Sequence, residues 1–239
     1  MKKAFLACFA LFTAFVAFCQ DDKVINDANA QKRTASGFHA IRAEDGIDIY
    51  ITQGAEEALA VSASDLKYRD RIKTEVKNGV LRIYFDDDGF NFSFRNRRLR
   101  AYISVKTLDA VDASGGSDVF MKEGVTSTNF RLGLSGGGDF YGKITAASLV
   151  IDASGGSDVH IEGKVTDLNM EASGGSDFNG YNLVTDNAKV SVSGGSDAQL
   201  TVNKELIANA SGGSDVAYKG TGTVRNVSAS GGSSVTKRG

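Results

Sequence analysis

The stretch Ser154-Gly155-Gly156-Ser157-Asp158, followed by Val159-His160-Ile161, contains the motif on which the fold depends. Its Ser-Gly-Gly core recurs with steps of 21, 19, 19, 20, 18 and 19 residues, beginning at Ser114, Ser135, Ser154, Ser173, Ser193, Ser211 and Ser230. A period near 19 residues over half of a chain is typical of a solenoid, in which each repeat forms one coil stacked on the previous coil. The sequence therefore predicts an all-β fold, with a repeat β-helix over residues 110–239.

The alternation of side chains along each repeat predicts which residues face the axis of the coil. Leu149, Ile151 and Val159 fall on one parity, and polar residues occupy the other. Because this phase continues through the motif, we expect the glycines Gly155 and Gly174 to face inward where the strand bends. A left-handed hexapeptide helix would show an aliphatic residue at every sixth position, and the repeats do not, so we predict a right-handed coil.

The chain before the repeats is expected to divide into two parts. Residues 20–35 are polar and are predicted to be a flexible leader. Residues 36–109 alternate in shorter strands with a turn at Asn78-Gly79, and they lack the repeat. We expect this N-terminal β-strand region to cap the first coil, which otherwise exposes unpaired strand edges.

An insertion between Asp86 and Arg100 stands out within that region. It begins with three consecutive aspartates, continues with alternating phenylalanines and ends in a run rich in arginine. Two interpretations remain open: a self-paired hairpin that projects from the coil, or a loop that contacts a ligand.

Residues 1–19 have the composition of a secretory signal peptide, with two lysines followed by an uncharged apolar run. Ala17 and Cys19 occupy positions −3 and −1 of a cleavable bond before Gln20. Two alternatives are an uncleaved anchor and a lipid anchor on Cys19, although Phe18 stands where a lipobox has a small residue. We expect an exported protein of the periplasm, outer surface or extracellular space, with no transmembrane span in the mature chain.

The composition of the mature chain excludes several classes of protein. Both cysteines, Cys8 and Cys19, lie in the predicted leader, so no disulfide or thiol chemistry is expected. Without the two lysines of the leader, 25 basic residues stand against 29 acidic residues, which gives no electrostatic reason to expect a nucleic-acid partner. The 28 glycines and the lack of proline suit a chain of paired strands, because proline removes a ladder donor.

One aspartate per coil forms a predicted column of carboxylates, made of Asp118, Asp139, Asp158, Asp177, Asp197 and Asp215. Carboxylates on neighbouring coils, about 4.8 Å apart, would repel each other by about 1 kcal/mol per pair in water. Either the carboxylates accept hydrogen bonds from turn amides and hydroxyls of adjacent coils, or divalent cations such as calcium bridge the coils. The nine-residue Gly-Gly-x-Gly-x-Asp calcium-binding repeat does not occur in this sequence.

The mature chain resembles the head GIN domain family of auto-transporter adhesins, which is common among exported proteins of Bacteroidetes. The resemblance rests on Phe38-His39-Ala40-Ile41, Ile47-Asp48-Ile49-Tyr50-Ile51-Thr52-Gln53-Gly54, Asn78-Gly79-Val80-Leu81-Arg82-Ile83, and Tyr102-Ile103-Ser104-Val105 followed by Leu108 and the first repeat. One departure is Lys106-Thr107, where similar chains often have a proline. The resemblance implies a β-helical extracellular domain with an adhesin-like role and no assigned catalytic residues.

The residues themselves do not form a catalytic pattern. The aspartates recur one per coil, His39 and His160 lie far apart in the sequence, and no phosphate-loop or zinc spacing occurs. We therefore expect a non-enzymatic adhesin-like or structural module of the cell surface, with no cofactor and with an extracellular protein or glycan as partner. The alternative is an extracellular carbohydrate-binding or carbohydrate-processing β-helix, for which the repeats supply few outward aromatic residues, chiefly Tyr141 and Tyr181.

Overall fold

The structure, a computed structural model, describes residues 27–87 and 97–239. The predicted signal peptide of residues 1–19 and most of the Asp86–Arg100 insertion lie outside the described residues. The hairpin and ligand-loop interpretations of that insertion therefore stay predictions. The described residues form a single 16-stranded sheet and one short helix.

The first half of the chain forms short strands: β1 (Gln31–Arg33), β2 (Ala40–Ala43), β3 (Ile47–Gln53), β4 (Ala58–Ser62), β5 (Ile72–Lys77), β6 (Val80–Phe85), β7 (Leu99–Val105) and β8 (Ala110–Ala113), with helix α1 (Leu66–Arg69) between β4 and β5. The second half forms longer ones: β9 (Val119–Ser135), β10 (Phe140–Gly155), β11 (Val159–Gly174), β12 (Phe178–Val192), β13 (Ala198–Gly212), β14 (Asp215–Lys219), β15 (Thr223–Gly231) and β16 (Ser234–Lys237). Among the described residues, no helix has the length and apolarity needed to cross a bilayer.

Strands β9 to β13 stack in chain order and in parallel, as the repeat predicts. Phe140 pairs with Val159 and Leu149 pairs with Leu168, so these neighbouring coils are offset by 19 residues. Strands β14 and β15 pair with β13, and β16 pairs with β14. The predicted β-solenoid is confirmed.

The N-terminal region contributes coils of its own, in an order that differs from the chain order. Strand β2 lies between β6 and β8, and β3 pairs with both β7 and β9, all in parallel. The coil formed by β6 and β7 therefore lies one step farther along the solenoid axis, towards its N-terminal end, than the coil formed by β2 and β3. The chain then returns across the β2–β3 coil to begin β8. Strands β4 and β5 pair antiparallel with β7 and β6, so they cover the outer edge of this end.

The segment Ala43–Tyr50 is a degenerate copy of the repeat, so the expectation that residues 36–109 lack it was wrong. Ala43 pairs with Ala113, and Ile49 pairs with Val119. Asp45 and Gly46 then take the places of the first two glycines of the motif, both with positive φ (63° and 74°). The coil was hidden because an aspartate can adopt this left-handed conformation in place of glycine.

Part of the segment predicted to be a flexible leader is a paired strand. Residues Gln31–Arg33 form β1, which runs antiparallel to β4 with Gln31 opposite Val61. The outer edge of β4 would otherwise present unpaired N–H and C=O groups, and β1 satisfies them. The flexible-leader prediction is therefore wrong for these three residues.

The aliphatic column predicted by parity fills the interior, but the corner glycines do not belong to it. Leu149, Ile151 and Val159 are fully buried. Gly155 and Gly174 are exposed, and both have left-handed φ angles, 85° and 84°. The inward assignment of these glycines was wrong, because the left-handed residue turns the strand and breaks the simple alternation of a flat strand.

Candidate functional site

The predicted aspartate column forms a continuous chain of hydrogen bonds, here called the Asp ladder. The backbone N–H of Asp139 donates to Oδ1 of Asp118 at 2.9 Å, and the N–H of Asp158 donates to Oδ1 of Asp139 at 3.1 Å. The same bond joins the next three coils, at 3.3, 3.2 and 3.0 Å, through Asp177, Asp197 and Asp215. Each carboxylate thus accepts an amide from the next coil, as in the first of the two interpretations of the column.

The Asp ladder extends one coil further at each end than the sequence predicted. At one end, the N–H of Asp118 lies 3.4 Å from Oδ1 of Asp48, which belongs to the degenerate repeat. At the other end, Ser234 replaces the aspartate, and its N–H and hydroxyl both donate to Asp215 Oδ1. The aspartate of Asp45-Gly46-Ile47-Asp48 could have been found by aligning this segment with the first repeat.

Burial shifts the ionisation of the first carboxylates in the Asp ladder. The pKa of Asp48 is raised to about 6, chiefly because burial removes solvation and with a smaller contribution from the charge of Asp118, while the hydrogen bond from the amide of Asp118 opposes the shift. Burial also raises the pKa of Asp118. Asp48 and Asp118 therefore hold a proton more tightly than a solvent-exposed aspartate does.

A second column of buried hydroxyls runs beside the Asp ladder. It contains the second serine of the motif, fully buried at Ser117, Ser157, Ser176, Ser196 and Ser214. The hydroxyl of Ser176 accepts the N–H of Ser157 at 3.3 Å and donates to the carbonyl of Ser173 at 3.1 Å. These bonds join adjacent coils and close the corner, so the motif has a structural use at each of its polar positions.

A cation-bridged Asp ladder stays a prediction. Within the ranges described, no group of three or more His, Cys, Asp or Glu side chains is arranged to hold a metal ion. The hydrogen bonds described above use one carboxylate oxygen of each ladder aspartate.

A column of stacked rings lies on the same outward face as the Asp ladder, and in every coil except that of Tyr102 the ring follows the ladder aspartate by two residues. We call it the aromatic ladder. Its centroid distances are 5.2, 4.8, 5.5 and 4.8 Å, and its interplanar angles are 26°, 12°, 9° and 7°, for the successive pairs of Tyr102, Tyr50, Phe120, Tyr141 and His160. Only Tyr141 was recognised as an outward aromatic residue from the sequence, because the register between coils is needed to bring the other rings together.

The aromatic ladder ends at His160, where the next two coils place Asn179 and Gln199 in the same column. Strand β12 has a register shift beside His160, and Tyr181 lies in the irregular stretch. Together these residues leave a surface notch of about 470 Å³, lined by His160, Asn179, Tyr181, Asn182, Gln199 and Glu162. The other predicted outward aromatic residue, Tyr181, thus lies next to the end of the ladder.

A shallow groove of about 680 Å³ runs along a different side of the solenoid. The first serines of the repeats line it from Ser114 to Ser230, together with the outward residues two positions earlier. At its N-terminal end Arg131 bridges Asp112 and Asp152. The ion pairs hold coils together at this end, and the rest of the groove is lined mainly by serines, with Glu171 and Asn209 among them.

The two histidines occupy separate, different environments. His39 Nδ1 lies 3.1 Å from Oδ2 of Asp109, and both side chains are about half exposed. His160 stacks on Tyr141. Among the described residues, the contacts of the two histidines are thus with a carboxylate and with an aromatic ring.

Comparison with solved structures gives matches over nearly the whole described chain. A "putative adhesin" from Bacteroides fragilis is 22% identical with a TM-score of 0.81, covering 87% of this chain and 96% of that one. A "putative lipid binding protein" from Parabacteroides distasonis is 17% identical with a TM-score of 0.68, covering 89% and 98%. A "putative adhesin" from the same species is 20% identical with a TM-score of 0.69, covering 88% and 96%. At these identities the matches show a shared fold.

No curated protein sequence matches the chain significantly. A family profile does match, over residues 37–222, and its description is "Putative auto-transporter adhesin, head GIN domain". The matched range runs from the residue before Phe38 through β14, so it includes the degenerate repeat, the Asp ladder as far as Asp215 and the aromatic ladder. The chain therefore belongs to the auto-transporter adhesin head GIN domain family.

Proposed function

We propose that this chain is an exported, non-enzymatic adhesin-like module that binds an extracellular partner through the outward face of its solenoid. The observation that carries the proposal is the aromatic ladder, which displays five stacked rings from Tyr102 to His160 in register along the coil axis. A row of aromatic side chains on a surface is a feature of binding sites, because each ring offers a large contact area at a small entropic cost.

The backbone beneath this face supports its use for binding. The Asp ladder fixes the spacing of the coils at the residue two positions before each ring of the repeat coils. Tyr102, at the end of the row, is held by a 2.9 Å hydrogen bond from its hydroxyl to Asp27. Side chains that are already ordered lose little conformational freedom when a partner binds, so more of the contact energy appears as affinity.

Membership of the adhesin family agrees with this role, and the signal peptide predicted for residues 1–19 supplies the export it requires. The chemistry of the described surface points the same way. Each carboxylate of the Asp ladder accepts a backbone N–H from the next coil, so the repeated aspartates have a structural use that requires no catalytic role.

Adhesion can be measured directly. Beads coated with the purified protein should be retained on mucin-coated surfaces or on cultured epithelial cells more strongly than beads coated with albumin. Beads carrying Tyr50→Ser together with Phe120→Ser, which interrupt the aromatic ladder, should lose most of the retention. Equal retention of protein-coated and albumin-coated beads on every surface would contradict the proposal.

The matched control for this experiment is Ser191→Ala with Ser228→Ala, two changes that lie on the groove side of the solenoid. Retention of these beads should equal that of the unchanged protein. Circular dichroism and a melting curve on each variant would establish that the coil is intact.

A further inference from the structure

We infer that the notch at the end of the aromatic ladder is a binding subsite for a neutral oligosaccharide. The inference rests on the proposed function, since it names the ligand class and the part of the face that binds it. Three features carry it: an aromatic ring that ends the stack, a set of amide side chains beside that ring, and a lining that carries both signs of charge.

The first feature is His160, at the end of the stack. Its ring stacks on Tyr141 at 4.8 Å with an interplanar angle of 7°, and this is its one ring contact among the described residues. On the opposite side the column continues with Asn179, which pairs with His160 in the parallel register. An amide has no ring to continue the stack, so the aromatic column ends at His160, which lines the notch together with Asn179.

A second ring closes the notch from the side. Tyr181 follows Gly180, whose position in the shifted stretch of β12 admits no side chain: a Cβ there would collide with the ring of Phe178. The ammonium group of Lys219 lies 4.8 Å from the centre of the Tyr181 ring and holds one side of it. The phenol therefore has a fixed place at the edge of the notch.

The second feature is the polar lining. Asn179, Asn182 and Gln199 each present an amide that can donate and accept hydrogen bonds at once. Paired hydroxyls on a sugar ring require this combination, and the C–H face of the same ring packs on aromatic surfaces. A pocket of about 470 Å³ lies in the range that small ligands occupy.

The third feature is charge. Lys122 and Glu162 are the charged residues that line the notch, and their opposite charges offset each other, while the ammonium group of Lys219 lies against the Tyr181 ring at the edge. A strongly acidic or basic ligand therefore gains little binding energy from electrostatic attraction at this site, whereas a neutral ligand loses little by lacking a charge. The neighbouring coils continue the column along the axis, so a chain of several sugar units can extend from the notch over Gln199 towards Ala217.

The test is a titration of the purified protein with cellohexaose, xylohexaose and chitohexaose, followed by calorimetry and by saturation-transfer NMR. We expect saturable binding of at least one of these neutral oligosaccharides, with transfer to the protons of one sugar face. His160→Ala and Tyr181→Ala should each weaken that binding by about tenfold or more, because each removes a stacking surface. His160→Phe should restore it, since it keeps the ring and removes the nitrogens.

Asn209→Ala is the matched control, because Asn209 has an amide of the same kind but lies in the groove on the other side of the solenoid. Its affinity should stay within about twofold of the unchanged protein. Failure of all three oligosaccharides to bind at millimolar concentration would overturn the inference, and so would binding that His160→Ala and Tyr181→Ala leave intact. In either case retention of protein-coated beads on cells would still support the adhesin-like function, so the two proposals can fail separately.

Discussion

At the scale of the residue, each position of Ser-Gly-Gly-Ser-Asp has a separate structural use. In the fourth repeat, the carbonyl of Ser173 accepts the hydroxyl of Ser176, Gly174 has a left-handed φ, and the N–H of Gly175 donates to the preceding coil at 2.8 Å. Asp177 then accepts the N–H of the next aspartate in the ladder. Because every position makes a contact between coils or turns the chain, repetition of the motif needs no ligand to explain it.

The two glycines of a motif should differ in their tolerance of a side chain. A Cβ on Gly174 would lie 2.5 Å from the carbonyl oxygen of Gly155, and its φ of 84° is unfavourable for other residues. We expect Gly174→Ala to lower the free energy of unfolding by about 1–3 kcal/mol. Gly175→Ala is the control, since its Cβ would meet the nearest atom at 3.9 Å, and it should change stability by less than about 0.5 kcal/mol. If denaturant titrations gave the same loss of unfolding free energy for both variants, the left-handed φ and the close backbone contact would not be the reason for glycine at position 174.

The raised pKa of Asp48, about 6, predicts a pH dependence of stability. The folded protein binds the proton more tightly than the unfolded chain, so this group stabilises the fold at low pH and the stabilisation is lost as pH rises from about 4 through 6. Between pH 5 and pH 7 the free energy of unfolding should fall by up to about 1 kcal/mol on its account. Asp48→Asn keeps an oxygen to accept the N–H of Asp118 and should remove that part of the fall. If the unfolding free energy of the variant fell equally between pH 5 and pH 7, Asp48 would not be the group responsible for that fall.

At the scale of the element, the Asp ladder and the serine column tie each long strand to its neighbours beyond the main-chain pairing. An aspartate oxygen and a serine hydroxyl reinforce the stacking between β11 and β12 at the same corner. The corners are therefore the places where side chains set the register between coils. Elsewhere the register shifts, as it does between β12 and β13 near Gly180.

A calcium titration separates a ladder satisfied by amides from one bridged by cations. Because each carboxylate already accepts an N–H, we expect millimolar calcium and a chelator to leave the melting temperature unchanged. Asp158→Asn with Asp177→Asn should cost less than about 1 kcal/mol, since the amide oxygens can replace the carboxylate acceptors. If calcium instead raised the melting temperature by several degrees and the double variant abolished the increase, bound cations would be stabilising the fold.

The sequence predicts those strands whose position follows from residues near each other in the chain. The period and the aliphatic parity of residues such as Leu149 and Ile151 indicate the coils and their interior, because both depend on residues close together in the chain. The aromatic ladder could not be predicted in the same way, since Tyr50 and Phe120 meet only through the parallel pairing of β3 with β9. The β6–β7 coil was hidden for a related reason: its position outside the β2–β3 coil reverses the order of the chain.

At the scale of the whole molecule, the two ends of the solenoid are closed differently. Strands β4 and β5 run antiparallel to the last coil at one end, and β1 covers β4 in turn. At the other end β15 and β16 each pair on one side only, with β13 and β14, within the described residues. Every residue of β15 is exposed, including Val224 and Val227, which are 37% and 42% exposed.

This asymmetry predicts a gradient of local stability along the axis. A coil in a solenoid is stabilised by its neighbours, so a coil with one neighbour opens at a lower free energy than one with two. In hydrogen–deuterium exchange, peptides from residues 223–239 should exchange first, and peptides from β10 and β11 should be protected longest. The matched comparison is β6 at the opposite end, which is paired on both sides by β2 and β5 and should exchange far more slowly than β15. Similar exchange of β6 and β15 would show that the antiparallel strands do not protect their end, and faster exchange of β6 would place the weak end of the solenoid at its N-terminal coil.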